Sequence, residues 1–227
     1  MSGGIEIGDG AAQTEDAFIN APPMDLPANA VLNADGSVTL TLEFPKELKF
    51  RVANGDQVVR SEPVTQLVLR RLTGRDLRAQ TQAKDQQVEA LALSSGLGRM
   101  KIAQLLNVID AADDRAAADV IGQLLGDLPM GLPPHAEDTP DGVRLPLWFP
   151  VTFNGKVYDE LTFRRLTGAQ RRKLGEQDNI VDWGVGFATG LDRRDAMELV
   201  NLMDGADGMA VNRVVLFLCG SFRTRGS

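Results

Sequence analysis

From Asp35-Gly36, apolar positions alternate with polar ones through Val38, Leu40, Leu42 and Phe44 and stop at Pro45. This is the period of a half-buried strand that a proline closes. The phrase returns at Asp141-Gly142 as Val143, Leu145, Leu147 and Phe149 ahead of Pro150. A second alternating run, Thr65 to Leu72 and again Asp159 to Leu166, ends each time in an arginine pair followed by Leu-Thr-Gly. The alternation sends Leu67, Leu69 and Arg71 to one face and Val68, Arg70 and Leu72 to the other, so each pair splits between faces. One arginine per pair therefore lies near apolar surface and needs a carboxylate or carbonyl partner, because an unpaired buried charge costs several kcal/mol.

After the strands the period changes. Thr73-Gly74-Arg75-Asp76 and Thr167-Gly168-Ala169-Gln170 have the spacing of a helix start, with threonine capping and the third residue reaching back. The spacing predicts a polar, Gln-rich helix from Arg75 to about Leu93, and a more apolar counterpart holding Ile180, Val181, Trp183 and Phe187. Gly96 and Gly190 suit C-terminal caps. Ile102, Leu105, Leu106 and Ile109, matched by Ala196, Leu199, Val200 and Met203, fall at amphipathic helical spacing. Asp110-x-x-Asp113 and Asp204-x-x-Asp207 then place carboxylates at the positive end of a last helix. Those helices carry Val120, Ile121, Leu124 and Leu125, then Val214, Val215, Leu218 and Cys219.

The pattern is thus written twice. Arg70 recurs as Arg164 at an offset of 94 residues, which also carries Gly96-Leu97 onto Gly190-Leu191 and Asn107 onto Asn201. Between the first strand and the motif the offset is 105, so the first copy holds about eleven extra residues around Lys49 to Pro63. They include Asn54-Gly55 and predict a longer hairpin or an added strand, whereas Asn154-Gly155 connects the second copy more tightly. Two long copies indicate two similar small domains rather than a solenoid. The expected architecture is α+β: two similar units, each a short antiparallel β-sheet followed by about three α-helices. The expected boundaries are an acidic flexible N-terminal arm over 1–34, a first repeat over 35–126, a linker over 127–140 containing Pro133-Pro134 and Pro140, and a second repeat over 141–222.

Composition narrows the function classes. The chain has 227 residues, of which 43% are hydrophobic and 24% charged, as in ordinary globular domains. No apolar run approaches the ~18 residues of a membrane-spanning helix. No Lys or Arg precedes Lys46 and no early apolar block occurs, which speaks against a secretory or transit peptide and makes the cytoplasm the default. A net charge of −7 opposes nonspecific nucleic-acid binding. Acid gathers in the first 36 residues, and base gathers at the two motifs and at Arg223 and Arg225.

Little in the chain points to catalysis. The single histidine, His135, lies in the linker, and no Cys/His cluster has zinc-ligand spacing. No phosphate-loop, dinucleotide or nucleophile-elbow motif occurs, and Gly184-Val185-Gly186 falls inside a predicted helix. Asp110 and Asp204, though repeated, are accounted for as helix caps. Lone Cys219 reads as a small buried hydrophobe, and Trp148 and Trp183 read as core. No catalytic residue, metal site or cofactor is therefore expected. The arginines carry two readings: they brace the strands against the acidic caps of the last helices, or they face a partner. For the second reading Arg70, Arg75, Arg78, Arg164, Arg171 and Arg172 are the candidates, a basic edge for an acidic segment or a helix C-terminus.

A strand ending Leu69-Arg70-Arg71-Leu72-Thr73-Gly74-Arg75-Asp76-Leu77-Arg78, then Ser95-Gly96-Leu97, Leu105 to Asp113 and Val120 to Leu125, resembles a known group. It looks like the tail assembly chaperones of long-tailed bacteriophages of the phage Mu and P2 type. The resemblance covers most of the first copy and, more faintly, the second. It implies a non-catalytic protein of the host cytoplasm that binds and solubilises the tape measure protein during tail assembly, with the tail tube protein as a second candidate partner. Members are usually single small domains, and Ala169-Gln170-Arg171 replaces Arg75-Asp76-Leu77 in the second copy. The alternative from a different class is a structural tail or baseplate protein kept in the particle.

Overall fold

The computed structural model describes residues 24–51, 59–174, 176 and 179–220. Most of the expected arm, the Asn54-Gly55 turn and the basic residues Arg223 and Arg225 lie outside the described residues. The first half runs β1 (Ala30–Leu32), β2 (Val38–Arg51), β3 (Val59–Leu69), α1 (Gly74–Gln82), α2 (Gln86–Ser95), α3 (Arg99–Leu106) and α4 (Ala111–Leu124). The second repeats the order as β4 (Glu137–Thr139), β5 (Gly142–Phe153), β6 (Lys156–Arg164), α5 (Gly168–Leu174), α6 (Ile180–Thr189), α7 (Arg193–Leu202) and α8 (Gly205–Leu218). Each half is an antiparallel three-stranded sheet, ordered β1-β2-β3 or β4-β5-β6, followed by helices. The α+β class read from the pattern is the class observed.

The long strands do not stop at their prolines. β2 continues through Pro45 and β5 through Pro150, with the register shifting between Thr41 and Lys46 and between Pro146 and Val151. At each shift the chain bulges, so the proline, which has no N–H, sits where no ladder bond is required. The backbone donors freed beside it are collected by one buried carboxylate. Asp113 Oδ1 and Oδ2 accept from the N–H groups of Glu43 and Phe44 at 2.8 and 3.1 Å. Asp207 does the same for Trp148 and Phe149 at 2.9 and 3.0 Å. The second aspartate of each Asp-x-x-Asp is therefore a clasp between last helix and sheet, while the first caps the helix by accepting from Ala112 N or Ala206 N.

The helix expected from Arg75 to Leu93 is two helices. Asp85 accepts from Val88 N at 3.1 Å and starts α2 anew, as Asn179 starts α6 by accepting from Val181 N. A side chain that satisfies orphan N–H groups favours a fresh start over a continuous helix. The motif strands also end early, at Leu69 and Arg164. Past the strand end, period two no longer applies, and Leu72 turns inward to 2% exposure. Two short strands carry no alternation at all. β1 lies within the stretch expected to be an arm, where Met24, Leu26 and Ala30 pack against the first core, and β4 lies within the expected linker.

Each sheet presents one face to its own helices. In the first half Val38, Leu40, Leu67 and Leu69 meet Leu91, Ile102, Leu105, Val120 and Leu124. In the second, Val143, Leu145, Leu161 and Phe163 meet Val185, Leu199, Val211, Val214 and Val215. α6 approaches α8 closely because Gly184 has no side chain: a Cβ there would come within 2.3 Å of Val215 Cγ2.

Candidate partner-binding surface

The two halves meet through the repeated motif, but only one of its occurrences is used. At the end of β3, Thr73 bridges antiparallel to Asp204. Gly74 N donates to Met203 O at 2.9 Å, and Gly205 N donates to Leu72 O at 2.6 Å. The approach is too close for side chains, since a Cβ on Gly74 would fall 1.9 Å from Val200 O and one on Gly205 would fall 2.7 Å from Leu72 O. Arg71 reaches across with Nε and Nη2 on the two Asp204 oxygens at 2.8 and 3.1 Å, its guanidinium lying 4.2 Å from the centre of the Phe149 ring. Arg78, one turn into α1, grips Asp182 with both terminal nitrogens and Asn201 with Nε. Planar, two-pronged pairing of this kind is what distinguishes arginine from lysine.

The six candidate arginines thus have different fates. Arg78 is half-buried in the join and is not part of an open basic edge, a correction that follows from the carboxylate Asp182 supplied by the other half. Arg70 is 49% exposed and bonds Asp76 at 3.0 Å. Burial opposes ionisation of Asp76, but the Thr73 N–H and the Arg70 guanidinium outweigh it and hold that carboxyl below its usual range. Arg75 is exposed on α1, and Arg164, Arg171 and Arg172 are exposed at the end of β6 and on α5. The bracing of a strand by arginine against the acidic cap of a last helix is realised once, by Arg71, and across the two halves. Its counterpart Arg165 instead reaches back to Asp138 and the Thr139 carbonyl in β4.

Along α6 the join opens into a trough. One hollow of about 470 Å³ lies between α1 and α6–α8, with Leu77, Ile180, Val181, Val200 and Met209 in its walls. It meets, at Asn179, a second hollow of about 260 Å³ over Trp183, Gly186, Phe187 and Leu191. Trp183 and Phe187, one helical turn apart, stack with ring centres 5.3 Å apart and planes 3° from parallel. Both are only partly buried, so Trp183 packs on the core with one side and lines the trough with another. The spacing of two aromatics at i and i+4 was the available sequence signal for this surface, and it was absorbed there into a core reading. Trp148, by contrast, is core: it is 8% exposed and packs 3.9 Å from the His135 ring.

Burial alone pushes His135 down to about 4, so its ring is neutral near pH 7. Burial, with the Asp204 charge added, pushes Asp207 up to about 7 against the pull of the Trp148 and Phe149 N–H groups and Arg71. Burial likewise raises the Cys219 thiol, which leaves it mostly protonated. Among the described residues no group of three or more His, Cys, Asp or Glu side chains is placed to hold a metal ion, and no helix is long and apolar enough to cross a membrane. Comparison with protein-family models, with curated proteins and with solved structures finds no match.

Proposed function

We propose that this protein is a non-catalytic assembly chaperone of long-tailed bacteriophages, and that it receives an amphipathic helix of the tape measure protein in the trough along α6. The observation that carries the reading is the pair of adjoining apolar hollows beside the stacked Trp183 and Phe187. A helix-in-groove contact takes apolar side chains at i, i+3 or i+4 and i+7, and partly buried aromatics are the usual anchors of such contacts. The work assigned to the protein is to cover the apolar stripe of a long helical partner in the host cytoplasm until tail tube subunits replace it. The resemblance of Leu69 to Arg78 and of Leu105 to Asp113 to the tail assembly chaperones supports the same reading.

Co-expression with the tape measure protein of the same gene cluster tests it. The chaperone should retain that protein in the soluble fraction, and Trp183→Gln with Phe187→Gln should abolish retention while circular dichroism stays that of the parent. No retention by the parent chain would overturn the proposal. Presence of the chain in purified mature particles would favour the structural-component reading instead, because a chaperone departs before the tail is complete.

A further inference from the structure

The join between the halves is heterologous: the strand-to-helix junction of the first half docks on the α7–α8 junction of the second. A head-to-tail contact between two like units always leaves one unused donor surface and one unused acceptor surface at the ends of the pair. Thr167, Gly168 and Ala111 are exposed, and Leu166, Ile109 and Asp110 are half-buried. The unused donor is Leu166-Thr167-Gly168 with α5, counterpart of Leu72-Thr73-Gly74 with α1. The unused acceptor is Ile109-Asp110-Ala111 between α3 and α4, counterpart of Met203-Asp204-Gly205.

Three observations show what these surfaces fit. Phe44 is 50% exposed, whereas its counterpart Phe149 is 3% exposed, buried beneath Arg71 from the other half. Phe44 N is held by Asp113 in the first turn of α4, the helix whose Asp110 cap corresponds to the arginine-binding Asp204. Gly168 has no steric need to be glycine in its own surroundings, since a Cβ there would meet only Arg172 Nη1 at 3.7 Å, while Gly74 is required by the Val200 carbonyl across the join. Finally, the donor end exposes Arg164, Arg171, Arg172 and Lys173, and at the acceptor junction Asp110 and Asp114 stand beside Arg115.

We infer that the chain associates head to tail with a second copy of itself, the Leu166–Gly168 junction of one molecule docking on the α3–α4 junction of the next. In this contact Arg165 exchanges its Asp138 partner for Asp110 of the neighbour and lies over the neighbour's Phe44, as Arg71 lies over Phe149. The contact is looser than the internal one. Ala111 stands where the join has Gly205, and its methyl group meets the incoming Leu166 carbonyl. Val88 stands where Asp182 binds Arg78, so the second arginine clamp is missing. Association is therefore weak, reversible and sensitive to salt, and its polarity leads to a ring or an open string rather than a closed two-fold dimer. It does not depend on the identity of the partner in the trough.

Sedimentation velocity over a range of protein concentrations tests the inference. At low ionic strength the mass should rise above the 24.5 kDa of one chain as concentration rises, and fall back when salt is added. Phe44→Ser, which spoils the acceptor, and Arg165→Ala, which spoils the donor, should each give monomers alone. Mixed, they should form a capped one-to-one pair of twice the chain mass, because one junction remains intact. Ala111→Gly should strengthen association several-fold. A chain that stays monomeric at every concentration, with and without Ala111→Gly, would overturn the inference, as would an oligomer that Phe44→Ser and Arg165→Ala leave unchanged.

Discussion

The most consequential side chains are two buried aspartates that act through geometry. Asp113 and Asp207 are both 0% exposed, and each holds two successive N–H groups of a bulged strand. Replacement by asparagine keeps the shape but turns an NH₂ group toward one of the two N–H donors, leaving that buried donor unpaired. Asp113→Asn should therefore destabilise by about 1–3 kcal/mol, read by urea denaturation, and a loss below half a kcal/mol would mean the bulge is held by other contacts. Two buried groups give the pH dependence opposed contributions between pH 7 and 4. His135 is depressed in the folded state to about 4, so the unfolded chain binds its proton first. The stability this neutral ring contributes is lost as pH falls from about 6.5 towards 4. Asp207 is raised to about 7, so the folded chain binds the proton first and stability is gained as pH falls from about 7 towards 3.8. His135→Phe keeps the ring against Trp148 and removes only the first effect. Its melting temperature should therefore hold or climb between pH 6.5 and 4 relative to the parent's, and parallel curves would show that His135 is not desolvated in the folded protein.

At the scale of elements, close approach distinguishes glycines that look alike in the sequence. Gly74→Ala places a methyl group on the Val200 carbonyl and should cost about 1–3 kcal/mol as overpacking. Gly168→Ala, at the equivalent helix start, should be neutral or slightly stabilising in the monomer, since alanine is the better helix former. Equal effects on thermal denaturation would refute the difference in surroundings. The pair also shows what was legible beforehand. Strands and amphipathic helices were readable because one-sided burial imposes periods of two and 3.6 on the residues themselves, as at Val38, Leu40 and Leu42. The Thr73 and Asp110 caps were readable because a cap is local. The bulges were not: Pro45 signals the end of a strand unless Asp113 collects the donors beside it, and that partner lies 69 residues from Phe44. Nor was the break before α2, where Asp85 competes with helix continuation. Arg71 and Arg165 sit in the same local sequence and differ only in partners 133 and 27 residues away. The small residues Gly205 and Gly208, standing where the first half has Ala111 and Asp114, were the available hint that only one of the last helices is closely covered.

At the scale of the whole molecule, stability turns on whether the halves unfold together. Each has its own core, and what joins them is a short backbone pairing, a few apolar residues around Phe149 and Ala206, and two arginine clamps. The Arg71–Asp204 pair is the more buried clamp, with side chains 10% and 5% exposed. Such a pair adds little net stability over an apolar replacement, yet losing one partner is expensive because the other charge stays buried. Arg71→Ala strands Asp204 at the centre of the join and also bares the Phe149 ring. The loss should reach about 3–5 kcal/mol, and it should fall on the coupling between halves rather than on either core. Scanning calorimetry of the parent should then show one transition, and that of Arg71→Ala two, because neither core contains the residues concerned. Asp204→Asn is the companion variant, since it removes the charge, leaves an oxygen to cap Ala206 N, and keeps the Arg71 guanidinium over the Phe149 ring. It should weaken the coupling less than Arg71→Ala does. A single cooperative transition in Arg71→Ala, lowered as a whole, would instead mean that the backbone pairing at Thr73 and Asp204 is sufficient to hold the halves as one unit.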